Sequence, residues 1–354
     1  MKKCSYLAIG LIIQSITACQ TPKAESQQTD NTNQSESTSQ QQQTNLISLL
    51  QVKKDNTNQQ LQGQIYPIAL YRNGSYIDVS NNITEKVRKV LVSNNSDKYT
   101  LSENDREKSV LNGIKDFTVV SDRNKIGNIT VDNLDVSQLS CSYFVAGKVQ
   151  NQQSLSEAFN QIPSDKSRNR TRDFNGNKID ETYRSAIAAA VRLNAIKNYN
   201  STSAKNPQPS QADLNRYKQD LLAKAKTIIS ESPKAQNINA SSDFVVEKLS
   251  VFDLDNDGNL EVFGTVRKGK ENTQSQTSPR IYANLWLNYS NSQPQVISSQ
   301  VQPDYDIYST LDVNSDGVKE VIVKNTVYES TTFTIYEYKN NQLKEVFNGF
   351  NYGC

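Results

Sequence analysis

The chain has 354 residues, with 39 Lys and Arg against 37 Asp and Glu, four Cys, one Met and no His. The missing histidine excludes a Ser-His-Asp or Cys-His nucleophile, an imidazole base and a His-liganded zinc, iron or copper centre, and cysteines at 4, 19, 141 and 354 lack the paired spacing of a thiolate cluster. A net charge of +2 without a block of like charges gives no nucleic-acid surface, and the length allows about two domains.

Residues 1–18, MKKCSYLAIGLIIQSITA, place two lysines before about a dozen mostly apolar residues and then small ones. The stretch is too short to span a bilayer with its flanks and reads as a secretory signal. Its end, Ile16, Thr17 and Ala18 followed by Cys19, resembles the bacterial lipobox. The resemblance implies cleavage before Cys19, a diacylglycerol thioether on its sulfur and a third chain on its amine. The lipid bilayer is then the first expected partner, since several chains exceed the one-chain threshold for stable anchoring. Gln20, where an inner-membrane retention signal has aspartate, implies the outer membrane or the outer face of a single membrane. An ordinary signal peptide ending near a cysteine, or an uncleaved anchor, is the alternative. Lys2 and Lys3 leave with the signal, which holds no acid, so the mature charge balances.

Residues 19–60 are expected to be a tether. From Gln20 to Asn45, 26 residues contain no aromatic or branched aliphatic side chain. Such a stretch cannot bury enough surface to offset its chain entropy. Its random-coil reach is roughly 25 to 30 Å.

Three regions follow, with an α+β, mainly β fold expected. Residues 61–150 read as a small β domain. IYPIALYRNGSYIDV sets Asn73 and Gly74 between two strand-like runs, the strongest short hairpin signal. Phe117 to Ser121, Ile126 to Val131 and Cys141 to Val149 are further strands, with short helices expected in Thr84–Val92 and Ser102–Leu111. Residues 151–240 read as a central helix pair. The first helix is expected from Ile179 to Tyr199, where SAIAAAV has high helix propensity. The second follows Pro207 and Pro209, with Ser210 and Asp213 as a capping box and Leu214, Tyr217, Leu221, Ala225 and Ile228 as its apolar face. DFNGNKIDE from Asp173 reads as a loop leading into the first of these helices.

Residues 241–354 carry an internal repeat: VEKLSVFDLDNDGNLEVFGTV is echoed by YDIYSTLDVNSDGVKEVIVKN, each followed by two more strands. Within it, Asp253, Asp255, Asp257, Asn259 through its carbonyl and Glu261 occupy positions 1, 3, 5, 7 and 9 of a loop with Gly258 at 6. Asp312, Asn314, Asp316, the carbonyl of Val318 and Glu320 repeat them around Gly317. Such oxygen sets wrap a hard cation, so calcium is the expected cofactor, bound more weakly by the second loop, which has one carboxylate fewer. An EF-hand is excluded, because position 12 is Gly264 or Val323 and the flanks are β-branched. Ordinary Asn-Asp-Gly and Ser-Asp-Gly hairpin turns without metal are the competing reading.

The loops and their flanking strands resemble the calcium loops of FG-GAP and VCBS-type repeats of integrin α-subunit propellers and bacterial surface proteins. The likeness covers about the last 110 residues. It implies a structural ion between two antiparallel strands of a blade. Two copies fall short of the four or so blades that close a propeller, so two blade-like sheets packed on each other are expected.

Cys141 and Cys354 remain after cleavage and form a candidate disulfide, with two free thiols as the alternative. Tyr and Trp286 suit strand packing, or sugar stacking if exposed. The expected function is a lipid-anchored protein of the bacterial cell envelope whose calcium-stabilised β repeats bind an envelope protein or polysaccharide, in adhesion or scaffolding. The alternative is a carboxylate-based hydrolase, for which Asp304 and Asp306 are the nearest candidates.

Overall fold

The computed structural model describes residues 44–79, 110–111, 113–121, 124–139, 142–172, 176–190, 207–237, 243–269, 280–290, 293–301, 304–327 and 330–353. The fold is α+β and mainly β. The first part holds β1 (Thr44–Asp55), β2 (Leu61–Arg72), β3 (Ser75–Asp78), β4 (Asp116–Ser121), β5 (Asn124–Leu139) and β6 (Ser142–Val149). Helix α1 (Gln152–Gln161) precedes β7 (Ser167–Arg172) and β8 (Lys178–Ala190), and α2 (Gln211–Glu231) follows. The last part holds β9 (Phe244–Phe252), β10 (Glu261–Lys268), β11 (Ile281–Asn288) and β12 (Gln295–Val301), then β13 (Asp304–Leu311), β14 (Glu320–Val327), β15 (Ser330–Lys339) and β16 (Gln342–Gly353).

The first eight strands form one antiparallel sheet in the order β1-β2-β6-β5-β4-β8-β7, with β3 beside β2. A further pairing of β1 with β8 closes the sheet on itself. One face carries Leu46, Leu50, Ile65, Val119 and Ala188 and is covered by α1 through Leu155, Ala158 and Phe159. That approach is close: a Cβ on Gly63 would meet Leu155 at 2.2 Å. The link from β2 to β3 is the Asn-Gly hairpin expected from sequence. Asn73 and Gly74 have φ of 53° and 79°, the left-handed pair that a two-residue turn of matching twist requires.

Here the structure corrects four expectations. A tether through residue 60 does not hold from Thr44 onward, because β1 is hydrogen-bonded to β2 on one edge and β8 on the other, and Leu46, Ile47, Leu50 and Val52 are fully buried. The helix expected from Ile179 is strand β8, and residues 191–199 of that expectation lie outside the described residues. Ala186 and Ala188 face one core while Ile187 and Ala189 face the other. A strand buried on both faces shows no alternation, and pairing on both edges outweighs a helix preference of a few tenths of a kcal/mol per residue. For the same reason the DFNGNKIDE stretch leads into β8 and not a helix, its first three residues being outside the described ones. Residues 151–240 are thus not a helical region, since β7 and β8 belong to the first sheet. The helices expected in 84–92 and 102–111 lie outside the described residues, apart from a turn at 110–111.

Helix α1 escaped the sequence reading. Its signal is Asn151, whose Oδ1 accepts from the N–H groups of Gln153 and Ser154, followed by Leu155, Ala158, Phe159 and Ile162 at helical spacing. Helix α2 begins where expected: the Ser210 hydroxyl accepts from Asp213 N at 3.1 Å and donates to the Asp213 carboxylate at 2.7 Å. Ser210→Ala is expected to cost about 1 kcal/mol, read as a lower denaturant midpoint at unchanged slope. An unchanged midpoint would show that α2 is held by packing alone.

The last eight strands form two four-stranded antiparallel sheets, β12-β11-β10-β9 and β13-β14-β15-β16, each a meander. Alternation along their strands builds a stack of layers. Helix α2 covers the outer face of the β9–β12 sheet through Tyr217, Leu221, Ala225 and Ile229. A Cβ on Gly264 would sit 2.3 Å from Leu221, so glycine lets helix and strand meet there. Between the two sheets lie Phe252, Phe263 and Trp286 against Tyr305, Val321 and Tyr336. The opposite face of the second sheet, with Tyr308, Ile322, Phe333 and Phe350, packs on Ile47, Leu49, Tyr66 and Phe144 of the first eight strands. Among the described residues no helix is long and apolar enough to cross a membrane.

Candidate metal centre

The two acidic loops join β9 to β10 and β13 to β14, the same place in each four-stranded sheet. Both follow one backbone course. Position 4 is left-handed, Asn256 at φ 59° and Ser315 at 65°, and position 6 is the glycine, Gly258 at 86° and Gly317 at 91°. With open space around both glycines, it is the backbone angle that calls for glycine.

Side chains turn inward through short-range bonds. Asp255 and Asn314, at position 3, accept from the N–H of Asp257 and Asp316. Asp257 and Asp316, at position 5, accept from the N–H of Asn259 and Val318 at 2.7 and 2.8 Å. The apolar position 2, Leu254 or Val313, is fully buried. Its N–H donates to the carboxylate at position 9, at 2.9 Å to Glu261 and 2.7 Å to Glu320. Asn288 donates to the other oxygen of Glu261 at 3.0 Å. Each glutamate therefore ties its loop to the strand that follows it.

In the first loop Asp253, Asp255 and Asp257 bring one carboxylate oxygen each to within 4.8 Å of one another. Glu261 lies apart from this trio, bound to Leu254 and Asn288. The loops also touch each other. Lys319 N–H donates to the Leu254 carbonyl at 2.8 Å, and Asn256 Nδ2 donates to the Gly317 carbonyl at 3.0 Å. The Lys319 ammonium reaches the Asp253 carbonyl at 3.0 Å. On the other side, Asn45 of β1 donates its amide to the Val313 carbonyl, docking the second loop on the first sheet.

Burial sets the electrostatics. It pushes Glu261 up to about 7, against the Leu254 N–H that lowers it, with the charges of Asp255 and Asp253 adding to the rise. Glu320 goes up to about 8 by burial, against the Val313 N–H, with Asp312 adding to the rise. Asp312 is raised by burial and further by Asp316, and Asp255 by burial and Asp257. Asp257 alone moves the other way, lowered against its burial by the Asn259 amide and N–H.

A cation fits this donor set on two counts. All offered atoms are oxygens, the ligands of hard cations. The position-1 aspartates each keep a buried carboxylate oxygen without a hydrogen-bond partner, Asp253 Oδ1 and Asp312 Oδ1. An unpaired buried carboxylate oxygen is costly, and a proton, a buried water or a cation relieves it, the cation alone also offsetting the neighbouring carboxylates.

Of the other candidates, Cys19, Cys141 and Cys354 lie outside the described residues. Trp286 is 1 % exposed and packs inside the seam, which leaves no face for a sugar. Asp306 is ion-paired with Lys248 at 2.9 Å. The Asn45 contact had no signal in the sequence, since it joins residues 268 apart. The chain matches no protein-family model, no curated protein and no solved structure.

Proposed function

We propose that this chain is a lipid-anchored protein of the bacterial cell envelope that holds calcium in its two acidic loops and uses the β body they brace to bind an envelope component, in adhesion or scaffolding. The observation that carries the calcium reading is the repeated orphan: the same position in two adjoining loops buries a carboxylate oxygen that lacks a partner. The likeness of the loops to FG-GAP and VCBS-type repeats and the lipobox-like residues before Cys19 support the rest.

A bound calcium ion supplies fixed positive charge. The chain's own residues do the remainder. Asp253, Asp255, Asp257 and the Asn259 carbonyl would hold the ion in the first loop, and Asp312, Asn314, Asp316 and the Val318 carbonyl in the second. Glu261 and Glu320 keep each loop on its strand. Because Asn256, Gly317 and Lys319 link the loops, order in one supports order in the other.

The test is chemical denaturation of the full chain with calcium and with EGTA. Calcium at a hundredfold excess over its dissociation constant is expected to add about 2.7 kcal/mol for one site. Asp255→Asn, which makes the first loop's position 3 like that of the second, is expected to weaken its binding severalfold. A denaturation curve indifferent to calcium would remove the metal from this account.

A further inference from the structure

Away from the acidic loops, a cavity of about 500 Å³ opens between the first sheet and the second four-stranded sheet. Its floor follows from strand register. Residues two apart on a strand share a face, and paired residues line up across strands. Leu49 is paired with Tyr66 and Ile187, and this row belongs to the core beneath the second sheet. One step along the same face, Gln51 is paired with Gln64 and Ser185. A further step pairs Lys53 with Gln62 and Tyr183, and Tyr183 with Arg168. The face that is apolar under the second sheet thus turns to amides, hydroxyls and cations where the sheet no longer covers it.

The opposite wall comes from the second sheet, with Tyr308, Lys324 and Asp306. The Lys166 ammonium donates to the Tyr308 carbonyl at 3.1 Å and lies 5.1 Å from the centre of its ring, and Lys324 lies 6.0 Å from the same ring. In all, five cationic side chains line the cavity, Lys53, Lys166, Arg168, Arg170 and Lys324, against one carboxylate, Asp306. Asp306 is paired with Lys248, and Lys53 with Glu181 at 3.2 Å. In a chain whose charges nearly balance overall, this is a local excess, and a concave site of one sign concentrates counter-charge.

We infer that this cavity binds an acidic glycan, a chain of sugars bearing carboxylate groups. The cations meet the acid groups, Arg168 and Arg170 having the fork geometry that suits a carboxylate. The amides of Gln51 and Gln62 carry donors and acceptors side by side, the complement of neighbouring sugar hydroxyls, while Gln64, whose Oε1 accepts from the Tyr66 and Ser137 hydroxyls, adds only its amide N–H groups. A simple anion would have no use for this second set of groups. The inference rests on the binding-protein reading above and is independent of calcium in the loops.

The probe is oligogalacturonate, titrated calorimetrically into the full chain, with a neutral malto-oligosaccharide of equal length and inorganic phosphate as comparisons. Saturable binding of the oligogalacturonate is expected, at least tenfold tighter than either comparison and weaker as salt is raised. Arg168→Glu combined with Lys324→Glu is expected to reduce it at least tenfold. The milder Arg168→Gln, at an exposed position, should reduce it severalfold at an unchanged melting temperature, and Lys339→Glu, six residues along β15 from the partner of Lys324 and absent from the lining, should leave it intact. Equal affinity for the neutral chain, equal affinity for phosphate alone, or indifference to the Arg168 variants overturns the assignment. Release of reducing ends would remove the binding-protein reading while leaving the cavity's ligand class in place. Absence of binding in a chain that calcium still stabilises would remove the cavity assignment alone.

Discussion

Cys19→Ala is expected to abolish acylation of the exported protein completely and to leave its signal uncleaved. Under the proposed anchoring, the Cys19 sulfur and amine carry every acyl chain. Each buried methylene contributes about 0.8 kcal/mol, so one chain of ordinary length gives marginal, reversible binding while two or three hold a protein for as long as it lasts. Loss of the sulfur removes the thioether and, with it, the substrate for cleavage and for the last acylation. Incorporation of fatty acid should therefore vanish outright, while the uncleaved apolar signal still touches the membrane. Fractionation together with labelling by a radioactive fatty acid reads the result. A wild-type chain that takes no label, or an alanine variant that still takes it, would falsify the lipid anchor. The calcium response of the body should be the same in both forms, because every residue proposed to hold the ion belongs to the two loops.

Trp286→Ala carries the largest expected loss of stability. The indole is 1 % exposed in the seam between the two four-stranded sheets. Its ring centre is 5.0 Å from that of Phe252 and 5.3 Å from that of Phe263, both in its own sheet, and its Nε1 donates to Tyr305 Oη of the other sheet at 3.3 Å. Truncation removes the largest side chain in that layer and leaves a cavity lined by rigid strands that collapse poorly. A cost of about 3 to 5 kcal/mol is expected, measured by denaturant unfolding. Trp286→Phe keeps most of the volume and leaves the Tyr305 hydroxyl buried without its donor, for about 1 to 2 kcal/mol. Leu254, at position 2 of the first loop, packs in the same seam, so the alanine variant should also bind calcium more weakly. Full stability in Trp286→Ala would mean that the two sheets are held together elsewhere, through Tyr305 and Tyr336 or through the loop contacts.

The parts of this architecture that were legible are those governed by neighbours in sequence. The Asn73-Gly74 turn, the Ser210 cap and the strands around the acidic loops follow from local geometry, and each forms where its residues call for it. The two misread strands share one cause. In β1 and β8 both faces and both edges are covered by distant segments, so the apolar residues run together and period 2 disappears. NLISLLQV of β1 did carry a signal, a short apolar run fit for a buried strand, but the polar composition on its N-terminal side obscured it. The Ala-rich run of β8 carried a signal for the wrong element, because helix propensity is local and sheet pairing is not.

The acidic loops divide in the same way. Their carboxylates, their glycines and their equivalence are matters of spacing, and sequence alone determined them. Three properties needed the folded chain: the orphaned oxygens of Asp253 and Asp312, the contact of the two loops through Asn256, Gly317 and Lys319, and the docking of the second loop by Asn45. Burial and long-range contact are set by which layers stack, and no window of neighbouring residues contains that information. The cationic cavity is the extreme case. Lys53, Arg168 and Lys324 are unremarked lysines and arginines along the chain, and only strand register and the edge of the covering sheet place them around one space.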